Sequence, residues 1–114
     1  MSFHVCHGAT LQCSKGQLPS RLLVLPDRPV RAGGLAAAHV GDHRSLVNIV
    51  SFGACLAGVL PRRCVPETPR PWTPGAAQVR VVDVPALDGA SRLVCAVGGV
   101  IRIVAGTAGA PRLP

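Results

Sequence analysis

The amino-acid sequence predicts a small all-β domain built of short strands. Three observations carry that expectation. Glycine (13) and proline (11) together exceed a fifth of the 114 residues, and both interrupt helices, which excludes a helical bundle. The apolar runs are β-branched, strand-length and closed by Gly or Pro. Similar turn-and-strand patterns recur along the chain, so three strand-plus-turn units are expected around a pseudo-threefold arrangement in which no unit buries its apolar face alone. At this length the chain reads as one domain, 1–114, which buries only about two thirds of the surface its unfolded form exposes. Apolar residues make up 48% of it, yet only Phe3, Phe52 and Trp72 are aromatic. Val, Leu, Ile and Ala must therefore fill a core of thin layers.

In chain order, Thr10–Cys13 reads as a short strand. Arg21–Leu25 (RLLVL) follows, closed by Pro26, then Leu46–Val50 (LVNIV), Gln78–Val84 (QVRVVDV), closed by Pro85, and Val100–Val104 (VIRIV), closed by Gly106. Between them lie the turn-rich segment 33–43 (GGLAAAHVGDH) and the segment 61–75 (PRRCVPETPRPWTPG), whose five prolines predict an extended loop. Two pairs of segments echo one another. Cys6–Leu11 (CHGATL) and Cys95–Ile101 (CAVGGVI) each run from a cysteine through small residues into an aliphatic strand, and Leu35–Asp42 resembles Pro85–Ser91, each expected to be a small-residue turn that follows a strand.

The chain carries a net charge of +7, and 11 of its 12 basic residues are arginine, with Lys15 the exception. Part of that excess accords with the Ala, Gly and Pro richness of a high-GC coding sequence. An anionic partner, nucleic acid included, is nonetheless the rival expectation, although so few aromatics leave little for bases to stack on. The first sixteen residues lack a basic start and an apolar stretch, so the expected location is the cytoplasm unless a dedicated machine exports the protein. The longest apolar stretch, Leu46–Leu60, is shorter than the ~20 residues of a membrane-spanning helix.

Five cysteines (Cys6, Cys13, Cys55, Cys64, Cys95) and four histidines (His4, His7, His39, His43) are many for such a chain. An odd number of cysteines argues against a closed disulfide set, leaving a metal site or buried thiols that pack as small apolar groups. No C-x-x-C pair marks a zinc ribbon. Nor does any segment bring a Cys and a His beside a carboxylate as a thiol enzyme requires. The expectation is a non-enzymatic protein.

Five ordered blocks go further. They are V-C-x-G-A-x-L-x-C-S-x-G at Val5–Gly16, A-A-x-x-x-D-H at Ala37–His43, V-N-I-x-x-F-G-x-C at Val47–Cys55, C-x-P-x-T-x-x-P-W-x-P-G at Cys64–Gly75 and P-A-L-x-x-x-S-x-x-x-C-x-x-G-G-x-I at Pro85–Ile101. Together they closely resemble the PAAR-like spike-tip proteins of bacterial contractile injection systems, type VI secretion among them. The resemblance covers nearly the whole chain. One departure is that only LAGVLPRR separates Cys55 from Cys64, where similar proteins carry a longer Ala-rich insert.

The resemblance implies a small cone of short strands with zinc near its point and a base that caps a trimeric VgrG-like spike, one tip per trimer. Such a protein assists membrane puncture, meets the target membrane transiently, can carry effector cargo and leaves the producing cell on the injection apparatus. PAAR proteins hold zinc with three histidines and a cysteine. Transferred to the matched blocks here, the implied ligands are Cys6, His43, Cys64 and Cys95, with Cys13 and Cys55 in reserve, each alternatively a buried thiol. Asp42 would orient the His43 imidazole or bond the backbone of its turn. His4, His7 and His39 fall outside the matched positions and are expected to be exposed or capping, and Trp72 to pack in the core or against the spike.

Overall fold

The computed structural model describes residues 5–25, 28–32 and 34–105. His4, Pro26 and Gly106 lie outside them. Among the described residues there are nine strands and no helix. They are β1 (Thr10–Cys13), β2 (Ser20–Arg21), β3 (Arg31–Ala32), β4 (Leu35–Ala36), β5 (Ala54–Cys55), β6 (Arg62–Arg63), β7 (Thr73–Val81), β8 (Val84–Val94) and β9 (Val100–Ala105). One sheet has the order β2-β1-β9-β8-β7, every neighbouring pair antiparallel, and β3-β4 and β5-β6 form two small ribbons. The whole measures 43 × 27 × 22 Å.

The central strands follow the period of two that their sequences spell. Leu11 and Cys13 of β1, Leu93 of β8, and Ile101 and Ile103 of β9 point inward, while Gln12, Arg92 and Arg102 face solvent. Phe52 and Trp72 are each 1% exposed and are the two largest side chains in a core otherwise made of Leu, Ile, Val, Ala and Cys. Trp72 is thus a core ring. A helix-free core with this filling agrees with the expectation from composition.

Two expected strands change character. Gln78–Val84 is the tip of a long hairpin: β7 ends at Val81, Val82 and Asp83 turn the chain with φ of 53° and 61°, and β8 starts at Val84. Both turn residues are left-handed, the type I′ geometry that matches strand twist. The segment Pro85–Ser91, expected as a turn, lies within β8. Leu46–Val50 does not extend either. Residues 46–48 form a turn because Asn48, 3% exposed, takes the Arg44 N–H on Oδ1 (3.1 Å) and donates from Nδ2 to the Leu23 carbonyl (2.8 Å). A buried amide with both ends satisfied outweighs the strand propensity of its neighbours. Arg21–Leu25 shortens for the same reason, since Leu22 bridges Ile49 and the Leu23 N–H donates to the Asn48 carbonyl rather than continuing β2.

The echo between Cys6–Leu11 and Cys95–Ile101 is structural at the level of a turn. Cys6 accepts from the Ala9 N–H and Cys95 from the Gly98 N–H, and each turn feeds one of the antiparallel neighbours β1 and β9. Of the segment 61–75 expected as a loop, Arg62–Arg63 is β6 and Thr73 opens β7; the loop between them is pinned from the inside: the Trp72 indole N–H donates to the Asp42 carbonyl at 2.9 Å, and Ser45 Oγ donates to the Pro66 carbonyl. These ties place Cys64 against the sheet.

Candidate metal centre

Four of the five cysteines meet at one place. Cys13 closes β1, Cys55 closes β5, Cys64 follows β6, and Cys95 follows β8. All four line one cavity of about 220 Å³. Backbone bonds hold the segments together there. Gly16 bridges Cys55, the Leu56 N–H donates to the Lys15 carbonyl, the Cys64 N–H to the Gly53 carbonyl, and the Cys95 N–H to the Gly99 carbonyl.

One sulfur is addressed by a backbone donor: the Glu67 N–H donates to Cys95 Sγ at 3.4 Å. The Gly16 N–H donates to the Cys13 carbonyl at 3.0 Å. Burial pushes the Cys13 thiol up from its ordinary pKa, the backbone of Lys15 and Gly16 pulls it down, and the neighbouring Cys95 and Cys64 raise it further. Gly99 is a close neighbour as well, because a Cβ at that position would collide with Cys13 Sγ. Three cationic side chains, Lys15, Arg62 and Arg63, and the carboxylate of Glu67 also line the cavity.

Of the expected ligands, Cys64 and Cys95 stand at this cavity, and so do the reserves Cys13 and Cys55. Cys6 does not line it. It is fully buried and bridged to Ala37, and burial raises its thiol pKa. His43 lines a different, open depression with Glu67, Thr68 and Ala96. Its Nδ1 lies 2.7 Å from the Thr68 carbonyl; a carbonyl only accepts, so Nδ1 is the donor and Nε2 is left as the acceptor of the neutral ring. The structure therefore does not gather Cys6, His43, Cys64 and Cys95 at one point.

Asp42 takes the second of its two expected parts, bonding the backbone of its turn, and does not orient His43. Its carboxylate takes a two-pronged bond from Arg28 at 2.6 and 3.0 Å and accepts the His39 N–H at 2.8 Å. Thr68, not Asp42, orients the His43 ring. His7 and His39 act as caps, as expected: His7 Nδ1 accepts the Val24 N–H and His39 Nδ1 the Gly41 N–H.

As the side chains stand, no three His, Cys, Asp or Glu groups among the described residues are placed to share a metal ion. The donor set at the cavity nevertheless suits zinc chemically, since four buried cysteines can supply thiolate ligands and one of the sulfurs already accepts a backbone N–H. Cys13–Gly16, Cys55–Gly58 and Cys95–Gly98 share a Cys-x-x-Gly spacing that Cys6 lacks, but Cys64 lacks it too, so spacing alone does not mark the four.

Compared with curated proteins and with solved structures, the chain finds no match. A family model does match, over residues 5–107, under the description "Domain of unknown function (DUF4280)". That span takes in every strand of the sheet and all four cysteines of the cavity, and the chain belongs to the DUF4280 family.

Proposed function

We propose that this protein is a non-enzymatic, zinc-reinforced spike tip that caps the trimeric VgrG-like spike of a contractile injection system, one copy per trimer. The observation that carries the reading is the run of five ordered sequence blocks, Val5 to Ile101, that resembles PAAR-like tips. A helix-free domain longer in one direction than in the other two, 43 against 27 and 22 Å, is compatible with the tapering pseudo-threefold cone that this role needs. A structural zinc would supply cohesion that a small core lacks. In this role the tip is made in the cytoplasm, is exported on the spike, meets the target membrane as the apparatus fires and can carry effector cargo.

The test is co-purification with the cognate spike. Size-exclusion chromatography with light scattering is expected to show one chain per spike trimer, and a chain that never associates with that trimer refutes the reading.

A second reading, a basic zinc-stabilised nucleic-acid-binding domain, draws on one feature of the sheet. Arg92 and Arg102 stand directly opposite on β8 and β9, both exposed. Like charges so placed cost stability, and an anionic partner would relieve them. Affinity for polynucleotides that falls steeply with added salt, without spike binding, would favour this reading.

A further inference from the structure

We propose that Cys13, Cys55, Cys64 and Cys95 together form a tetrathiolate site for a single thiophilic divalent cation of filled d shell, zinc being the probe. This rests on the structural-metal half of the reading above and is independent of spike docking.

The argument begins with convergence. Four side chains from four separated segments line one cavity, and all four are residues whose thiolates bind zinc. Chance packing of apolar thiols gives no reason for the fifth cysteine, Cys6, to be the one left out. The second observation is the backbone. The Glu67 N–H is directed at the sulfur of Cys95, and such a donor stabilises a coordinated thiolate where a neutral buried thiol gains little from it. The third is charge. A divalent ion held by four thiolates carries two net negative charges, and the cavity lining of Lys15, Arg62, Arg63 and Glu67 supplies two net positive ones.

No three of these groups among the described residues stand at coordinating positions, so binding requires the sulfurs to move inward from where they stand. Each thiol gives up its proton to the solvent as its sulfur bonds the ion, with no change of oxidation state. A site of four protein ligands is closed to water, which makes it structural and gives it no part in catalysis.

The experiment is a cobalt(II) titration of the reduced full-length protein followed by displacement with zinc(II). The expected result is one cobalt per chain with strong sulfur-to-metal charge-transfer absorption, bleached by one equivalent of zinc. Replacing any of Cys13, Cys55, Cys64 or Cys95 by Ser is expected to weaken binding about 100-fold or more, whereas Cys6→Ser and His43→Ala leave it unchanged. Should the Ser variants fail to fold, the unaltered chain still decides: zinc is expected to protect the four cavity cysteines from alkylation, as read by peptide mass spectrometry, and to leave Cys6 labelling as it was. Absence of bound metal, metal retained in Cys13→Ser and Cys55→Ser, or metal lost in Cys6→Ser or His43→Ala would each overturn the assignment. Spike capture run on the same preparation separates the two proposals, because a chain that shows the cobalt spectrum but no spike binding refutes only the tip.

Discussion

Removing Arg28 should be among the most damaging single changes to this domain. Its guanidinium grips the Asp42 carboxylate through Nη2–Oδ1 at 2.6 Å and Nη1–Oδ2 at 3.0 Å, with side chains only 12% and 4% exposed, and Nη1 also reaches the Ala37 carbonyl at 3.2 Å. An Arg28→Met variant keeps the aliphatic stem but leaves a buried carboxylate with the His39 N–H as its remaining partner among these contacts. Stranding a buried charge in this way costs about 3–5 kcal/mol, a large share of the ~5–15 kcal/mol that holds a domain of this size. The sole tryptophan is a built-in reporter, since Trp72 is buried and bonds the Asp42 carbonyl. Urea unfolding followed by its fluorescence should show the midpoint fall by about 2 M for an ordinary slope of ~1–3 kcal/mol per M. The double variant Arg28→Met/Asp42→Asn should recover more than half of that loss, because it removes the unpaired charge. A loss below about 1 kcal/mol, the value of an exposed pair, or a double variant no better than the single one, would show that solvent screens this pair.

Other outcomes follow from single contacts. Val82 is exposed and β-branched yet sits at φ 53° in the hairpin tip, so Val82→Asn should raise stability by about 1 kcal/mol, read as a higher urea midpoint. Gly99→Ala should displace the Cys13 sulfur, lowering stability by about 1–3 kcal/mol and weakening cobalt binding in the same preparation. His39 has its pKa lowered from 6.5, mainly by burial, with Asp42 pulling it up and Arg28 pushing it down. The unfolded chain therefore takes up the proton more readily, and His39 contributes a loss of stability that begins as pH falls through about 6.5. Unfolding midpoints measured from pH 7.5 to 5 should decline less in His39→Gln than in the unaltered protein, and equal slopes would exclude this origin.

Local signals were legible wherever side-chain alternation or a turn residue decides the backbone. Thr10–Cys13 and Val100–Val104 are strands as their patterns predict, with β9 one residue longer. Where long-range polar bonds decide, the sequence is mute. Asn48 looks like one polar residue in an aliphatic run, and only the fold brings it to Leu23 to be satisfied there. Val81–Val84 reads as continuous strand because a type I′ turn ordinarily advertises itself with Asn or Gly, and here Val82 and Asp83 adopt it. The site shows the same division. The cysteine count suggests a metal or a thiol cluster, but which four meet depends on the β5-β6 ribbon crossing the end of β1, a pairing no local pattern encodes. Matching blocks by position favours Cys6 over Cys13 because Cys6, like Cys95, stands before a small-residue turn that leads into a strand. Four residues of chain cannot reveal which end of β1 the cavity occupies.

The position of β9 constrains how the chain is made. It is the last of the nine strands to be synthesised and also the central one of the five-stranded sheet, with β1 on one side and β8 on the other. Until it emerges, the five-stranded sheet can exist only as a β1-β2 ribbon and a β7-β8 hairpin, each with an open edge. The contact that joins the halves ties Val100 to Ser14, 86 residues apart, and such distant pairing is slow to form. At ~5–20 residues per second of translation, the β1 edge waits several seconds for the common partner and the β8 edge about a second. Shielding them during that interval, by a chaperone or by the ribosome itself, then matters as much to the yield of this protein as the stability of the finished sheet.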